Sequence, residues 1–105
     1  MSKSSITIEA VTLPPIHPGE ILAEELAAIG VSVAGFARAL DVPQSRMAEI
    51  IKGTRSVTAD TALRVGTYFG TSARFWLNLQ AAYDLASVTA KDGERITAAV
   101  RPHAA

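Results

Sequence analysis

Apolar residues recur at helical spacing five times along the chain. Leu22, Leu26 and Ile29 form the first such face, Val33, Ala37 and Leu40 the second, and Met47, Ile50 and Ile51 the third. Ala62, Val65 and Phe69 follow, and then Trp76, Leu79 and Tyr83 with Phe75 and Ala82 beside them. Steps of three, four and seven place each set on one side of a helix, so the pattern predicts an all-α domain of five helices. Punctuation agrees with the periodicity. Pro18 and Glu20 suit the first turn of the first helix, and Gly30, Gly53 and Gly70 stand where the first, third and fourth should stop. Ser32 and Thr58 are predicted N-caps, with Asp60 in the first turn of the fourth helix and the fifth running from about Ser72 to Ala86. Ala59, Ala62 and Gly66 are small enough to let the fourth helix lie close to its neighbours.

The two ends break the pattern. Residues 1–15 form an N-terminal arm in which ITIEAVTL alternates in the manner of a strand before Pro14-Pro15 closes it. With no second strand in a helical chain, this arm is either loose, packed on the domain, or paired with another protein's sheet. Residues 89–105 form a C-terminal tail that mixes Lys91, Arg95 and Arg101 with Asp92 and Glu94; a short helix over 93–100 and disorder are both open. The domain proper is residues 16–88.

Between the second and third helices lies Asp41-Val42-Pro43, and it is too short to be anything but a tight turn. Pro43 disfavours helical geometry at Val42 and suits the start of a new helix, which is expected at about Pro43. Two short helices joined this way are a helix-turn-helix. The second of them faces Met47, Ile50 and Ile51 inward and leaves Gln44, Ser45, Arg46 and Glu49 pointing elsewhere. Gln can bond an adenine edge in both directions, Arg can grip guanine O6 and N7, and Glu can accept from a cytosine amino group, so this run offers a reader of major-groove base edges. Lys52, Thr54 and Arg55 suit phosphate contacts, as do the backbone amides near Ser32. The same polar residues also cover ordinary solvated helices, and helix-turn-helix geometry occurs in bundles that bind no DNA.

The stretch from His17 to Leu85 closely resembles the HigA-type antitoxins, within the xenobiotic-response-element (XRE) class of helix-turn-helix repressors. Its most specific pieces are HPGEIL, KGTRSVTADTALRVGTYFGTS and FWLNLQAAYDL; the helix-turn-helix itself is shared by a far wider class. The resemblance implies a five-helix Cro/C1-type (lambda-repressor-like) domain that dimerises, binds a palindromic operator in its own promoter, and neutralises a HigB-type toxin, a RelE-like RNase that cuts messenger RNA. By position it puts base-reading slots on Gln44, Ser45, Arg46 and Glu49, and backbone-contact slots on Lys52, Thr54 and Arg55. Residues before Leu13 and after Val88 match nothing in that family, which leaves the toxin-binding surface unassigned.

Composition narrows the remaining classes. The chain has 105 residues, 49% of them hydrophobic, which is enough for one core, and it contains no Cys, so a disulfide framework and a thiolate metal site are excluded. No apolar run is long enough to span a membrane and no signal-peptide layout opens the chain, so a cytoplasmic address is expected. Formal net charge is zero, which argues against a general polyanion binder; what matters is its segregation. Arg46, Lys52 and Arg55 against Glu49 give the third helix a basic edge, whereas Glu20, Glu24 and Glu25 crowd the first, either as solvation or as a surface for a basic toxin. His17 is expected to cap or to lie at the surface, since no Cys or acidic cluster joins it or His103 into a metal or catalytic site. No phosphate loop, nucleophile elbow or zinc-protease motif is present, so no enzyme, cofactor or small-molecule ligand is expected.

The fifth helix carries an arc of apolar residues too broad for one core. Phe75, Trp76, Leu79 and Tyr83 therefore either complete the core or form a dimer seam, and dimerisation through this helix is expected. A symmetric pair sets two readers about 34 Å apart, one DNA turn. Three functions remain open: a dimeric DNA-binding antitoxin, a free-standing repressor of the same fold without a toxin, and a protein-interaction module that reads no DNA.

Overall fold

A computed structural model describes residues 15–104, so the N-terminal arm, save Pro15, falls outside the described residues. Five helices follow in order: α1 Pro18–Ile29, α2 Val33–Leu40, α3 Gln44–Lys52, α4 Ala59–Phe69 and α5 Ala73–Ala99. Among the described residues there is no strand. Boundaries are set by local chemistry. Ser32 Oγ accepts from the Gly35 amide at 3.0 Å, Thr58 Oγ1 from Thr61 at 3.4 Å and Ser72 Oγ from Phe75 at 3.1 Å, each satisfying a donor that the helix start leaves unpaired. Gly30, Gly53 and Gly70 stop their helices as expected. Asp41 ends α2 in the left-handed region, φ 59°, where a short polar side chain is tolerated and no glycine is present to do the work.

His17 is the cap of α1, and a buried one. Its Nδ1 accepts from the Gly19 amide at 2.9 Å while Glu20 reaches back toward the His17 amide, and only 3% of its surface is exposed. Its ring packs edge-on against Tyr83, centroids 4.9 Å apart, so the cap also ties α1 to α5. The surface alternative for His17 is thus ruled out and the capping one holds.

Leu22, Leu26, Phe36, Ala37, Leu40, Met47, Ile50, Val57, Ala62, Val65 and Trp76 form a single buried cluster drawn from every helix. Four expectations need correction. Ile29 is half exposed (50%), because α1 has already run past the core where Gly30 ends it. Phe36, unmarked in the sequence pattern, is wholly buried and is the largest such side chain. Of the three small residues of α4, Ala59 is exposed, whereas Ala62 is fully buried and Gly66 lies where a Cβ would come within 2.7 Å of the Thr71 carbonyl oxygen. Trp76, expected in a dimer seam with Phe75, Leu79 and Tyr83, is 2% exposed and donates its indole N–H to Thr71 Oγ1 at 2.8 Å, so it belongs to the core.

The tail also differs. α5 does not stop near Ala86 but continues unbroken to Ala99, well beyond the bundle. Its first half is held by Trp76 and by Gln80, whose Oε1 accepts the buried Val57 amide at 2.8 Å. Further along, Leu85 (70%), Val88 (48%) and Ile96 (39%) are exposed, and among the described residues none of the three belongs to the core cluster or packs against it.

Candidate nucleic-acid interface

The reader, α3, is short and is held by its neighbours. Nine residues cannot make a stable isolated helix, and its N-cap, Pro43, offers no side-chain hydrogen bond, so packing must hold it. Met47 and Ile50, both fully buried, anchor one face. From behind, Gly19 at the start of α1 lies so close that an added Cβ would overlap the Ile50 carbonyl oxygen. That contact gives the glycine of HPGE a steric reason. Pro43 lies just outside the helix, as its cap, instead of inside it. At the far end Gly53 adopts φ 84° and its amide bonds Ile50, while the Thr54 amide and hydroxyl both donate to the Glu49 carbonyl, at 2.9 and 3.2 Å.

This support fixes what α3 shows. Gln44 and Ser45 are exposed on its first turn, Arg46 is half-buried beside them, and Lys52 is exposed on the last. Glu49 Oε1 accepts from Arg55 Nε at 2.7 Å, so the carboxylate is neutralised by a residue expected to hold a phosphate. Arg55 keeps its remaining donors. Thr54 has its hydroxyl donor committed to the backbone, which leaves it an acceptor and weakens its case as a phosphate donor. Ser32 stands apart from these residues at the start of α2, where its Oγ is used as the cap; only its amide neighbourhood suits an anion.

Two residues of this surface went unassigned from the sequence, Asp60 and Arg64. Asp60 Oδ1 takes Arg64 Nε at 2.7 Å and lies 3.6 Å from Arg46 Nη1. Arg64 Nη1 in turn donates to the Leu40 and Asp41 carbonyls at 2.8 and 3.3 Å, the last of α2. The Arg64 hydrogen bond, with the charges of Arg64 and Arg46, holds the Asp60 carboxyl below its usual value, and the same bond raises Arg64. The i, i+4 spacing of Asp60 and Arg64 was legible; their link to α2 and α3 is tertiary. Among the described residues no cluster of His, Asp and Glu suits a metal ion, and no helix is long and apolar enough to cross a membrane.

Comparison with known proteins places this geometry. No family model matches the chain. Virulence-associated protein I of Dichelobacter nodosus is 55% identical over 74 residues, 70% of this chain and 68% of that protein. An addiction-module antidote protein of the HigA family from Coxiella burnetii superimposes with a TM-score of 0.82 at 49% identity, covering 87% of this chain and all of that one (100%). The chain belongs to the HigA family of helix-turn-helix antitoxins. A second HigA, from Pseudomonas aeruginosa, has been solved with the higBA promoter; it is 45% identical, with a TM-score of 0.81 over 86% of this chain and 99% of its own. With 86–87% of the chain covered in both, the five-helix fold and the resemblance to HigA-type antitoxins are upheld.

Proposed function

We propose that this HigA-family chain is the antitoxin of a type II toxin–antitoxin module, which as a dimer binds a palindromic operator in its own promoter and neutralises a HigB-type RNase. The observation that carries this reading is the first turn of α3, where Gln44, Ser45 and Arg46 stand outward on a helix locked from behind by Gly19, Met47 and Ile50. Base readout needs side chains held in register, and the packing supplies it. Arg46 reads a guanine, Gln44 and Ser45 contact neighbouring edges, and Lys52 and Arg55 hold phosphates, with the α2 amides after Ser32 contributing a further backbone contact. The role is one of binding in the cytoplasm, with no catalytic step, cofactor or small-molecule ligand.

Dimerisation runs through α5, with a second copy of the chain as occupant. Phe75, 46% exposed, remains available for the seam, as do Leu85, Val88 and Ile96 beyond it. Leu79 and Tyr83 are half-buried, against the core and His17 respectively, and contribute only their outer edges. Two copies are required because one short reader touches too few bases to select a site.

The test is fluorescence anisotropy at physiological salt, comparing the chain's own promoter fragment with a scrambled one. Promoter-selective binding that Arg46→Ala weakens by about 1–3 kcal/mol is expected. Equal affinity for both fragments overturns the DNA-reading role. Co-expression with a small basic reading frame next to the gene tests the toxin: rescue of growth by this chain is expected, and persistent toxicity refutes that part.

A further inference from the structure

Asp60 has no place in the reading just given, yet it sits at the centre of the polar network behind the reader. Its carboxylate is flanked by two guanidinium groups, Arg64 at 2.7 Å and Arg46 at 3.6 Å. Arg64 is itself pinned to the Leu40 and Asp41 carbonyls, so Asp60 is fixed relative to the end of α2 and the turn that launches α3. A line of contacts thus runs from the α2 terminus through Arg64 and Asp60 to Arg46. It joins α2 and α4 to the reader α3.

We propose that Asp60 is a positioning residue for sequence readout: it tethers the Arg46 guanidinium on one side and so aims it at a base edge. This rests on the reading of Arg46 as a base contact. The geometry suits aiming better than blocking. At 3.6 Å the pair attracts but is longer than a hydrogen bond, so Arg46 is confined without losing the donor fork a guanine needs. Arg64 offsets the Asp60 charge, so the carboxylate has two guanidinium groups beside it and Arg46 is not its sole counter-charge. Arg46 also starts with about a third of its side chain exposed (34%), so its conformational freedom is already reduced before DNA arrives.

The experiment measures a ratio, the affinity for the chain's own promoter fragment over that for a scrambled fragment, in the full-length protein and its Asp60→Ala, Arg46→Ala and doubly substituted forms. An exposed ion pair is a weak tether, so Asp60→Ala is expected to lower the ratio about two- to fivefold. Affinity for scrambled DNA should hold or rise, because a carboxylate has been removed. Arg46→Ala should lower the ratio about tenfold or more, and the double form should match Arg46→Ala, since Asp60 acts through Arg46. Equal losses on both fragments with a lowered melting temperature, which is a brace and nothing more, overturn the proposal, as does the same Asp60→Ala effect in the Arg46→Ala background. If Arg46→Ala leaves the ratio unchanged, the base-contact reading falls first and takes the tether with it. A ratio that responds to Arg46→Ala but not to Asp60→Ala removes the tether alone. Should Asp60→Ala fail to fold, Asp60→Asn keeps the Arg64 acceptor while removing the charge, and its ratio is judged by the same criteria.

Discussion

The reader helix and the far half of α5 both display side chains that the core does not use, but they do so in opposite ways. On α3 and the turn after it the displayed groups are polar, and three of them are tethered: Arg46 to Asp60, Glu49 to Arg55, and Thr54, just past the helix, to the backbone. On α5 beyond Ala86 they are a scatter of apolar residues, Val88 and Ile96 among them, with Leu85 just before, all exposed among the described residues. Tethered polar groups meet a ligand of fixed geometry at little entropic cost, as DNA requires. Exposed apolar groups gain only when another apolar surface covers them. That contrast supports the proposed division, with α3 for DNA and the far half of α5 for a second copy.

The largest effect should come from disturbing what lies behind the reader. Gly19→Ala forces a Cβ into the Ile50 carbonyl, so α1 must retreat from the end of α3. Backbone gives less readily than a side chain, and a loss at the upper end of about 1–3 kcal/mol is expected in urea denaturation, with operator binding lost in step. An unchanged midpoint means that α1 can shift freely and that α3 is not locked from that side.

Next comes the opposite region. Leu85→Asp alters a residue that is 70% exposed, so monomer stability should move by no more than about 0.5 kcal/mol. If a second copy covers this face, the same change should raise the dimer dissociation constant about tenfold or more in sedimentation equilibrium, because a charge is then buried without a partner. Operator affinity falls with it. A dimer indifferent to Leu85→Asp confines the seam to Phe75 and the start of α5.

A smaller effect sharpens the division of labour within α3 itself. Lys52 is exposed and no ion pair joins it to a carboxylate among the described residues, unlike Arg46 and Arg55. As a phosphate contact it releases counterions, so Lys52→Ala should weaken promoter and scrambled DNA alike and lower the salt slope by about one. A changed base preference would contradict that role.

Much of this contrast was legible in the sequence, for reasons specific to each region. Leu22, Leu26, Met47, Ile50 and Val65 repeat at helical spacing because a core selects them, and capping residues mark where helices begin. Phe36 sits three residues from Val33 and four from Leu40, within the same stripe; reading Val33, Ala37 and Leu40 alone passed over the largest member. The continuation of α5 left little trace, since a helix that leaves the core has no reason to keep an apolar period through Lys91–Arg95. For Trp76, hydrophobicity marks a buried face without saying what buries it, and here the core does. The Arg46–Asp60 contact joins two helices, and no spacing rule announces such a pair.

The smallest expected effect concerns that contact. Arg64's hydrogen bond, aided by the charges of Arg64 and Arg46, lowers the Asp60 carboxyl below the ordinary 3.8 in the folded chain. A carboxylate depressed by folding contributes stability that is complete above its unfolded value and is lost as pH falls through its folded one. Near pH 7 the ion pairs are therefore intact, and they fail only in acid, from about pH 4 downward. Because the carboxylate is exposed, water screens the pairs and the change in overall stability should be slight. A carbon-detected NMR titration isolates it: the Asp60 carboxyl should titrate below 3.8 in the intact protein and move upward in Arg64→Met. A midpoint that ignores Arg64→Met means that the carboxylate answers to solvent and not to its neighbours, and the difference between the tethered surface of α3 and the bare one of α5 would then be smaller than the distances suggest.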